Sequence, residues 1–288
     1  MAAKAKSKSK AKSKAKPAKK RPAPKKKAAP KKQPATAHKP ARRKLLAQAA
    51  GADVTLGEIT VPSGKLAIFD VGLVGYLPRP ALEPALVTCA VPADRTLAVV
   101  GRRVGTGRFA DCWDHVAVRL GDGEIAASKK LGEAGVDFAR LVCMDHGALD
   151  HWQHEDSLDG LADFLFWGRD AAQLAHAMNA KANKEGYGWT NLKVADAEAK
   201  AVEAANLKAA HHWLLATDFR PHSHHFHALA AARESRQGAG TIEVGGAKVC
   251  LFFTSWGDGV FPIYLDVDAK DRPLQVRVQL ADKAAVTA

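Results

Sequence analysis

Apolar and polar residues alternate through residues 54–143, which predicts β-strands in the first part of the folded region. The stretch DVTLGEITVPSGKLAIFD alternates on both sides of Pro62-Ser63-Gly64, where Pro restricts φ and Gly tolerates a positive one. The stretch CWDHVAVRLGDGEIAAS places Val116, Val118 and Leu120 on one face before Gly121-Asp122-Gly123. We therefore expect a hairpin at each of these two turns.

The pattern changes to a helical one over about residues 157–237. Asp170 is a candidate N-cap for AAQLAHAMNAK, in which Leu174 and Met178 are spaced to share one side of a helix. The stretch ADAEAKAVEAANLKAAHHWLL is rich in Ala and contains few helix breakers, so it predicts a longer helix that ends before TDFRPH. We expect this segment to be the helical part of the fold.

From Thr241 onward the β pattern returns, in the three runs KVCLFFTSW, VFPIYLDVD and LQVRVQL. The turn Gly257-Asp258-Gly259 separates the first two runs, and Pro262 within the second indicates an edge or a bulge. A calcium loop starting at Asp266 would need a Gly and a Glu where this chain has Asp271 and Arg277. We therefore interpret these runs as a three-stranded C-terminal meander with structural turns.

The order of strands, then helices, then strands predicts an α+β fold with an antiparallel, β-rich body. With 288 residues, of which 47% are hydrophobic, the chain can bury a sizeable core. We expect residues 45–288 to form a single α+β domain, preceded by a disordered basic tail over residues 1–44.

The tail contains 19 of the 43 Lys and Arg residues and no acidic residue. The remainder of the chain therefore carries 24 basic and 30 acidic side chains, a net charge of −6. Repeated Lys, Ala and Pro without apolar side chains to bury predict disorder. Such a segment suits contact with nucleic acid or another polyanion, and its composition resembles the tails of linker histones and bacterial histone-like proteins. The candidate contact residues are Lys19, Lys20, Arg21, Lys25, Lys26, Lys27, Lys31 and Lys32.

Two other interpretations of the tail stay open, namely a solubilising extension and a localisation signal.

The four cysteines are far apart and form no C-x-x-C pair, which indicates reduced thiols inside a cell. No window of the sequence is apolar enough to span a membrane. We expect a cytoplasmic protein, and the tail adds association with the nucleoid as a finer expectation.

Three short motifs follow one another along the body. The first is VPSGKLAIFD, which ends at Asp70, and the second is GVDFARLVCMD, with Gly135, Val136, Asp137, Met144 and Asp145 as its marked positions. The third is the C-terminal stretch marked by Trp256, Gly257, Asp258, Gly259, Phe261, Pro262, Tyr264 and Asp268. In this order the motifs resemble the bacterial domain-of-unknown-function family 4241, and the chain departs from the family pattern at Phe138-Ala139-Arg140. The resemblance implies a compact α+β body of bacterial origin and no particular reaction.

The candidate catalytic residues are the four motif carboxylates Asp70, Asp137, Asp145 and Asp258. If they converge, paired carboxylates with shifted pKa values could act in hydrolysis, whereas Asp is also a common turn residue. The segment HHWLLATDFRPHSHHFH is rich in His. In an extended chain His225 and His227 would share one side and His222 and His224 the other, as weak candidates for binding zinc or nickel.

Common hydrolase and nucleotide-binding motifs are missing from the sequence. We expect no cofactor. The best interpretation is a non-catalytic binding protein whose body recognises an unknown protein or small molecule and whose tail holds it on a polyanion. A hydrolase that uses the motif carboxylates is the alternative, and a metal-binding protein that uses the His cluster is a third.

Overall fold

Residues 51–282 are described by a computed structural model. They form 15 β-strands in three antiparallel sheets together with four α-helices, so the predicted α+β fold class is confirmed. The predicted disordered tail and its eight candidate contact residues lie outside the described residues. Within residues 51–282, no helix has both the length and the apolar character that crossing a membrane requires.

Sheet A has six strands, whose bounds are β1 Asp53–Thr60, β4 Thr96–Arg103, β5 Trp113–Arg119, β6 Ala127–Val136, β14 Gly259–Val267 and β15 Pro273–Gln279. Their spatial order is β1-β4-β5-β15-β14-β6. Sheet B has five strands, β2 Lys65–Phe69, β3 Val87–Ala90, β7 Arg140–Asp145, β12 Ala239–Val244 and β13 Ala247–Phe253. Their order is β12-β13-β7-β2-β3.

Sheet C has four strands, β8 Leu161–Gly168, β9 Lys181–Ala182, β10 Tyr187–Lys193 and β11 Leu215–Pro221, in the order β11-β8-β10-β9. The helices are α1 Arg79–Leu82, α2 Ala171–Met178, α3 Val194–His211 and α4 His224–Glu234. Helices α2 and α3 cover one face of sheet C, where Phe164, Phe166 and Leu174 form the centre of a separate apolar cluster.

Sheet B is buried on both faces, because consecutive residues in the middle of its inner strands are apolar. In β2, Leu66 and Ile68 pack towards sheet A, whereas Ala67 and Phe69 pack towards α1, α4 and the 3₁₀ turns Val71–Gly75 and Gly147–His151. Such continuous apolar runs are what a two-sided sheet requires. The fold therefore has sheet A, sheet B and a helical layer stacked in that order.

Sheet A is buried on one face only, and its strands alternate accordingly. In β15, Val276 and Val278 are about 1% exposed and belong to the core between sheets A and B. Gln275, Arg277 and Gln279 point to the opposite face, because successive side chains of a strand alternate. This arrangement places a row of polar side chains on the outer face of the sheet.

Both hairpins predicted in the first β region are wrong. Strand β1 pairs with β4, whereas β2 pairs with β3 and β7, so the turn at Pro62-Ser63-Gly64 connects two different sheets. Strand β5 pairs with β4 and β15, and β6 pairs with β14, so the turn at Gly121-Asp122-Gly123 does not join neighbours. The strands were predictable from alternation, but their partners come from distant parts of the sequence.

The central segment contains the predicted helices but is only partly helical. Helix α2 follows Asp170 as expected, although this carboxylate accepts the N–H of Leu214 at 2.7 Å and makes no side-chain cap. Helix α3 ends earlier than predicted, because His212 takes a left-handed conformation with φ of 53°. Strands β8, β10 and β11 of sheet C occupy much of the remainder, which the helical interpretation of residues 157–237 missed.

The prediction of a C-terminal three-stranded meander is also only partly correct. All three predicted strands exist, as β13, β14 and β15, and β14 pairs with β15 as expected. Strand β13 instead pairs with β12 and β7 in sheet B. The segment with Gly257-Asp258-Gly259 therefore carries the chain from sheet B to sheet A.

Candidate functional site

The three resembling motifs meet at residues 137–139, the segment that links β6 to β7. Asp70 follows β2 and is fully buried, and its Oδ2 accepts the backbone N–H groups of Asp137 at 2.8 Å and Phe138 at 2.9 Å. Asp258, just before β14, accepts the N–H of Ala139 at 2.9 Å. Two of the candidate carboxylates thus hold this segment by its backbone.

Asp70 is engaged at both oxygens, since its Oδ1 also accepts the N–H of Gly72 at 2.8 Å and so caps the 3₁₀ turn Val71–Gly75. Burial raises the pKa of Asp70, and the backbone N–H donors and Arg140 oppose the rise. With no exposed surface, the Asp70 carboxylate is inaccessible to a substrate. The Asp137 side chain, in contrast, is exposed.

Asp145 lies at the other end of the same pair of strands. Asp145 is opposite Leu66 across β7 and β2. Asp70 comes four residues after Leu66, so Asp70 and Asp145 are separated by about 13 Å along the strand direction. The Asp145 carboxylate accepts the N–H of Ser63 at 3.3 Å and the hydroxyl of Ser63, and so holds the turn before β2. The structure therefore groups Asp70, Asp137 and Asp258 around one segment and places Asp145 elsewhere.

The four candidate histidines point to different partners, because α4 begins at His224 and the segment is not extended. His222 is buried, with Nδ1 3.0 Å from Asp159 and Nε2 3.2 Å from Asp163. Burial alone would lower the pKa of His222, but these two carboxylates outweigh it and raise the pKa. In return, the hydrogen bond from His222 lowers the pKa of Asp159 to about 2.

The other three histidines have separate environments. Nδ1 of His224 accepts the N–H of Gln153 at 2.9 Å, and His225 stacks on His154 with 4.1 Å between ring centroids. His227 lies edge-on to His222 at 5.9 Å. In the part of the chain that the structure describes, no group of three or more His, Cys, Asp or Glu side chains is placed to hold a metal ion.

A polar pocket of about 300 Å³ lies on the outer face of sheet A, and no motif in the sequence indicated it. Strands β4, β5, β15, β14 and β6 all contribute to it. Its lining consists of Arg102, Asp114, His115, Arg119, Ile125, Ser128, Asp266, Gln275, Arg277 and Gln279. The pocket therefore combines three guanidinium groups with carboxylate, amide and imidazole groups.

Asp266 is the buried anchor of this pocket, with no exposed surface. Its carboxylate accepts bonds from Arg277 Nε at 2.7 Å, Arg277 Nη2 at 3.0 Å, Gln275 Nε2 at 2.6 Å and Ser128 Oγ at 2.5 Å. Burial opposes ionisation of Asp266, but the hydrogen bonds from Arg277, Ser128 and Gln275 outweigh it and lower the pKa. Arg277 is thereby held in one orientation, with Nη1 donating to Gln279 at 2.7 Å.

The opposite side of the pocket has a second network. Arg119 donates to both Gln275 and Asp53, and Arg102 Nε donates to Asp53 at 2.9 Å. Nδ1 of His115 lies 2.7 Å from Asp114, which leaves Nε2 as the ring nitrogen available to a ligand. Burial lowers the pKa of His115, although Asp114 opposes this, so the surroundings of the ring favour its neutral form.

The register of the strands explains how these residues meet. Gln275 is opposite Arg119 across β15 and β5, and Asp266 is opposite both Gln275 and Ser128. The alternation of polar residues in LQVRVQL was a visible signal of an outer polar face. The sequence did not show which strands lie beside β15, so it could not indicate a site.

Comparisons with family models, with curated proteins and with solved structures each found no match to this chain. The resemblance to the bacterial family 4241 stays a prediction.

Proposed function

We propose that the protein is a non-catalytic binding module. Its body binds a small polar ligand in the pocket of sheet A, and its basic tail, residues 1–44, tethers it to nucleic acid or another polyanion. The observation that carries the ligand site is the fixed orientation of Arg277 by the buried Asp266 and of Arg119 by the buried Gln275. Donors that are already oriented lose little conformational entropy when a ligand binds.

The charge pattern of the pocket favours a ligand that carries both an acidic group and hydrogen-bond donors. Arg102 and Arg119 each keep guanidinium N–H groups beyond those that Asp53 and Gln275 accept, and these can donate to a carboxylate of the ligand. Asp114 supplies carboxylate acceptors on the neighbouring side, where it also accepts a bond from the amide nitrogen of Gln279. Amino acids and short peptides have this combination of groups, and a volume of about 300 Å³ accommodates a ligand of that size.

Calorimetric titration of the full chain with free amino acids and dipeptides tests this proposal. We expect at least one of them to bind, and Arg102→Gln to weaken binding roughly tenfold through loss of a charge-assisted hydrogen bond. Arg272→Gln is the matched control, because Arg272 is 69% exposed and pairs with Asp268 away from the pocket. Equal affinity in both variants, or no binding by the wild type, would contradict the proposal.

The tether is supported by composition alone. The tail has 19 basic and no acidic residues, while the rest of the chain has a net charge of −6 and would repel phosphate. Replacing the eight residues from Lys19 to Lys32 that carry the prediction by Gln, in the full chain, should flatten the salt dependence of duplex DNA binding. The slope should fall by up to about 7, at about 0.9 for each phosphate that the variant no longer neutralises.

The control for this experiment keeps the charge and changes the residue, with Arg in place of each of the seven Lys residues and Lys in place of Arg21. This variant should bind DNA with the wild-type salt dependence, because the contact depends on charge. An unchanged slope in the Gln variant would remove the tether from the proposal. The same polyanion contact is our basis for proposing a cytoplasmic, nucleoid-associated location.

The two alternative functions receive less support from the geometry. Hydrolysis by the motif carboxylates would have to work without Asp70, which is fully buried, and without Asp145, which lies at the far end of β7. Metal binding by the His cluster would have to displace Asp159 and Asp163 from His222, whose two ring nitrogens they occupy.

A further inference from the structure

Four basic side chains gather on the helical side of sheet B, and none of them lines the pocket of sheet A. His154 and His225 stack with 4.1 Å between their centroids and 18° between their planes. Arg140 begins β7, and alternation directs it to the same face as Val142 and Met144, towards α4. Arg233 lies near the end of α4, the helix that carries His225.

This basic cluster contains nitrogen atoms without partners. Nε of Arg140 and Nε2 of His225 are both buried and make no hydrogen bond within residues 51–282. Buried donors and acceptors are usually paired, because leaving one without a partner costs stability. Two such atoms in one cluster of basic residues indicate a place where an acceptor belongs.

The nearby acidic group does not supply this acceptor. Asp70 interacts electrostatically with Arg140, but both of its oxygens already accept backbone N–H groups. Within the described chain, neither Arg140 nor Arg233 forms an ion pair with a carboxylate. Their positive charges therefore lie close together without direct compensation, and the charge of Arg233 opposes the charged form of Arg140.

The two imidazoles are kept neutral by the same surroundings. Burial, with a contribution from Arg140, lowers the pKa of His154 to about 4. Burial, together with His154, Arg140 and Arg233, lowers the pKa of His225 to about 3. A negative charge in the cluster would act in the opposite direction and favour protonation of both rings.

We infer that this cluster is an oxyanion-binding site, in which a phosphate or carboxylate group of a ligand accepts hydrogen bonds from Arg140, Arg233 and His225. Arg233 is exposed, so the cluster borders solvent on that side and the anion enters past it. Phe138 lies beneath the guanidinium of Arg140, with 5.2 Å from Cζ to the ring centroid, and Tyr76 stacks on Phe138. These two rings hold Arg140 in place beside the histidines.

The test is a pH titration of the histidine side chains of the full chain by NMR, in sodium phosphate, in sodium acetate and in sodium chloride of equal ionic strength. We expect phosphate or acetate to raise the pKa of both His154 and His225, and chloride to leave them unchanged. A response to phosphate alone identifies a phosphate group as the ligand chemistry, and a response to acetate identifies a carboxylate.

Variants locate the anion within the cluster. Arg140→Gln and Arg233→Gln should each weaken binding of the active anion roughly tenfold, as expected for loss of one charge-assisted hydrogen bond. The exposed Arg233 keeps the test usable if Arg140→Gln does not fold. Arg236→Gln is the matched control, because Arg236 is exposed and follows α4.

Two results would overturn the inference. One is that neither phosphate nor acetate changes the pKa of His154 or His225. The other is a response confined to His115, which would place the anion in the pocket of sheet A.

Discussion

The buried carboxylate of Asp70 accepts the backbone N–H of Phe138 at 2.9 Å. This bond, with those to Asp137 and Gly72, joins the end of β2 to the segment between β6 and β7. Since β2 lies in sheet B and β6 in sheet A, a single side chain stabilises the passage of the chain between the two sheets. Asp70 therefore has a structural role in this motif.

Replacing Asp70 by Asn should destabilise the protein by about 1–3 kcal/mol, because the amide nitrogen of Asn cannot accept the backbone N–H groups that one carboxylate oxygen accepts. Urea denaturation should show a lower midpoint with an unchanged slope. Asp137→Asn is the control, since that side chain is exposed, and it should change stability by less than about 0.5 kcal/mol. Equal effects of the two substitutions would contradict the role given to Asp70.

The pair Asp266–Arg277 should show strong coupling. Arg277→Met leaves a fully buried carboxylate without its main donor, and we expect a loss of about 3–5 kcal/mol. The double variant Asp266→Leu/Arg277→Met removes both charges and should recover most of that loss. Denaturant unfolding of all four proteins completes the cycle. Additive effects would show that the two side chains do not interact.

Gly188 and Gly135 form a matched pair within strands. A Cβ at Gly188 would lie 2.1 Å from the backbone oxygen of Phe164, and the residue has φ of 138°. Gly188→Ala should therefore cost more than about 3 kcal/mol, because neither the neighbouring strand nor the backbone conformation can yield. Gly135 has free space around the same position, so Gly135→Ala should leave the thermal midpoint unchanged or raise it.

The stability of the protein should fall as the pH is lowered through the range in which the two stacked histidines titrate. His154 and His225 have pKa values of about 4 and about 3 in the folded state, against about 6.5 when unfolded. The unfolded chain thus takes up protons first, and each ring lowers stability by at most about 1.4 kcal/mol per pH unit below pH 6.5. The stability that depends on keeping His154 and His225 neutral is fully present above pH 6.5.

Comparison of His225→Phe with the wild type between pH 7 and pH 4.5 isolates this effect. The variant should show a shallower fall of the unfolding free energy with decreasing pH. His211→Phe is a control, because His211 is exposed and stacks on Trp213, away from His154 and His225. A parallel fall in all three proteins would assign the acid sensitivity to other groups.

The cysteines should react with thiol reagents in two classes. Cys143 and Cys250 are opposite each other on β7 and β13 and are at most 1% exposed. Burial raises the pKa of Cys250 to about 12, and that of Cys143 also rises. Only Cys89 and Cys112, which are partly exposed, should be modified in the folded protein. Modification of all four thiols at one rate, without denaturant, would be the contrary result.

Local patterns predicted many strands of sheets A and B and helices α2 and α3, but they missed strands β8, β10 and β11 and gave wrong partners for most of the strands that they predicted. Val276 and Val278 alternate with Arg277, which marks β15 as one-sided, and Ala-rich sequence marks α3. Nothing within β5 says that β15 will lie beside it, because a pairing between residues about 160 positions apart depends on the whole core. The two predicted hairpins failed for the same reason, since a turn sequence permits a reversal without determining which strands become neighbours.

The motif carboxylates, the pocket of sheet A and the basic cluster around His225 differ in how far the sequence could reveal them. The Asp residues at strand ends were visible, but only burial distinguishes a carboxylate that holds a backbone segment from one that meets a substrate. The pocket of sheet A was invisible, because Arg119, Gln275 and Asp266 come together only through register. His225 was noticed as part of a His-rich run, whereas its actual neighbour, His154, lies outside that run.

The position of β14 and β15 between β5 and β6 has a consequence for synthesis on the ribosome. When residues 113–136 have left the exit tunnel, β5 and β6 each still lack the neighbour that will cover one edge. Those edges remain unpaired and exposed until residues 259–279 emerge. The last hairpin of the described chain thus closes sheet A, and a nascent chain arrested before it would expose two edges capable of pairing with another polypeptide.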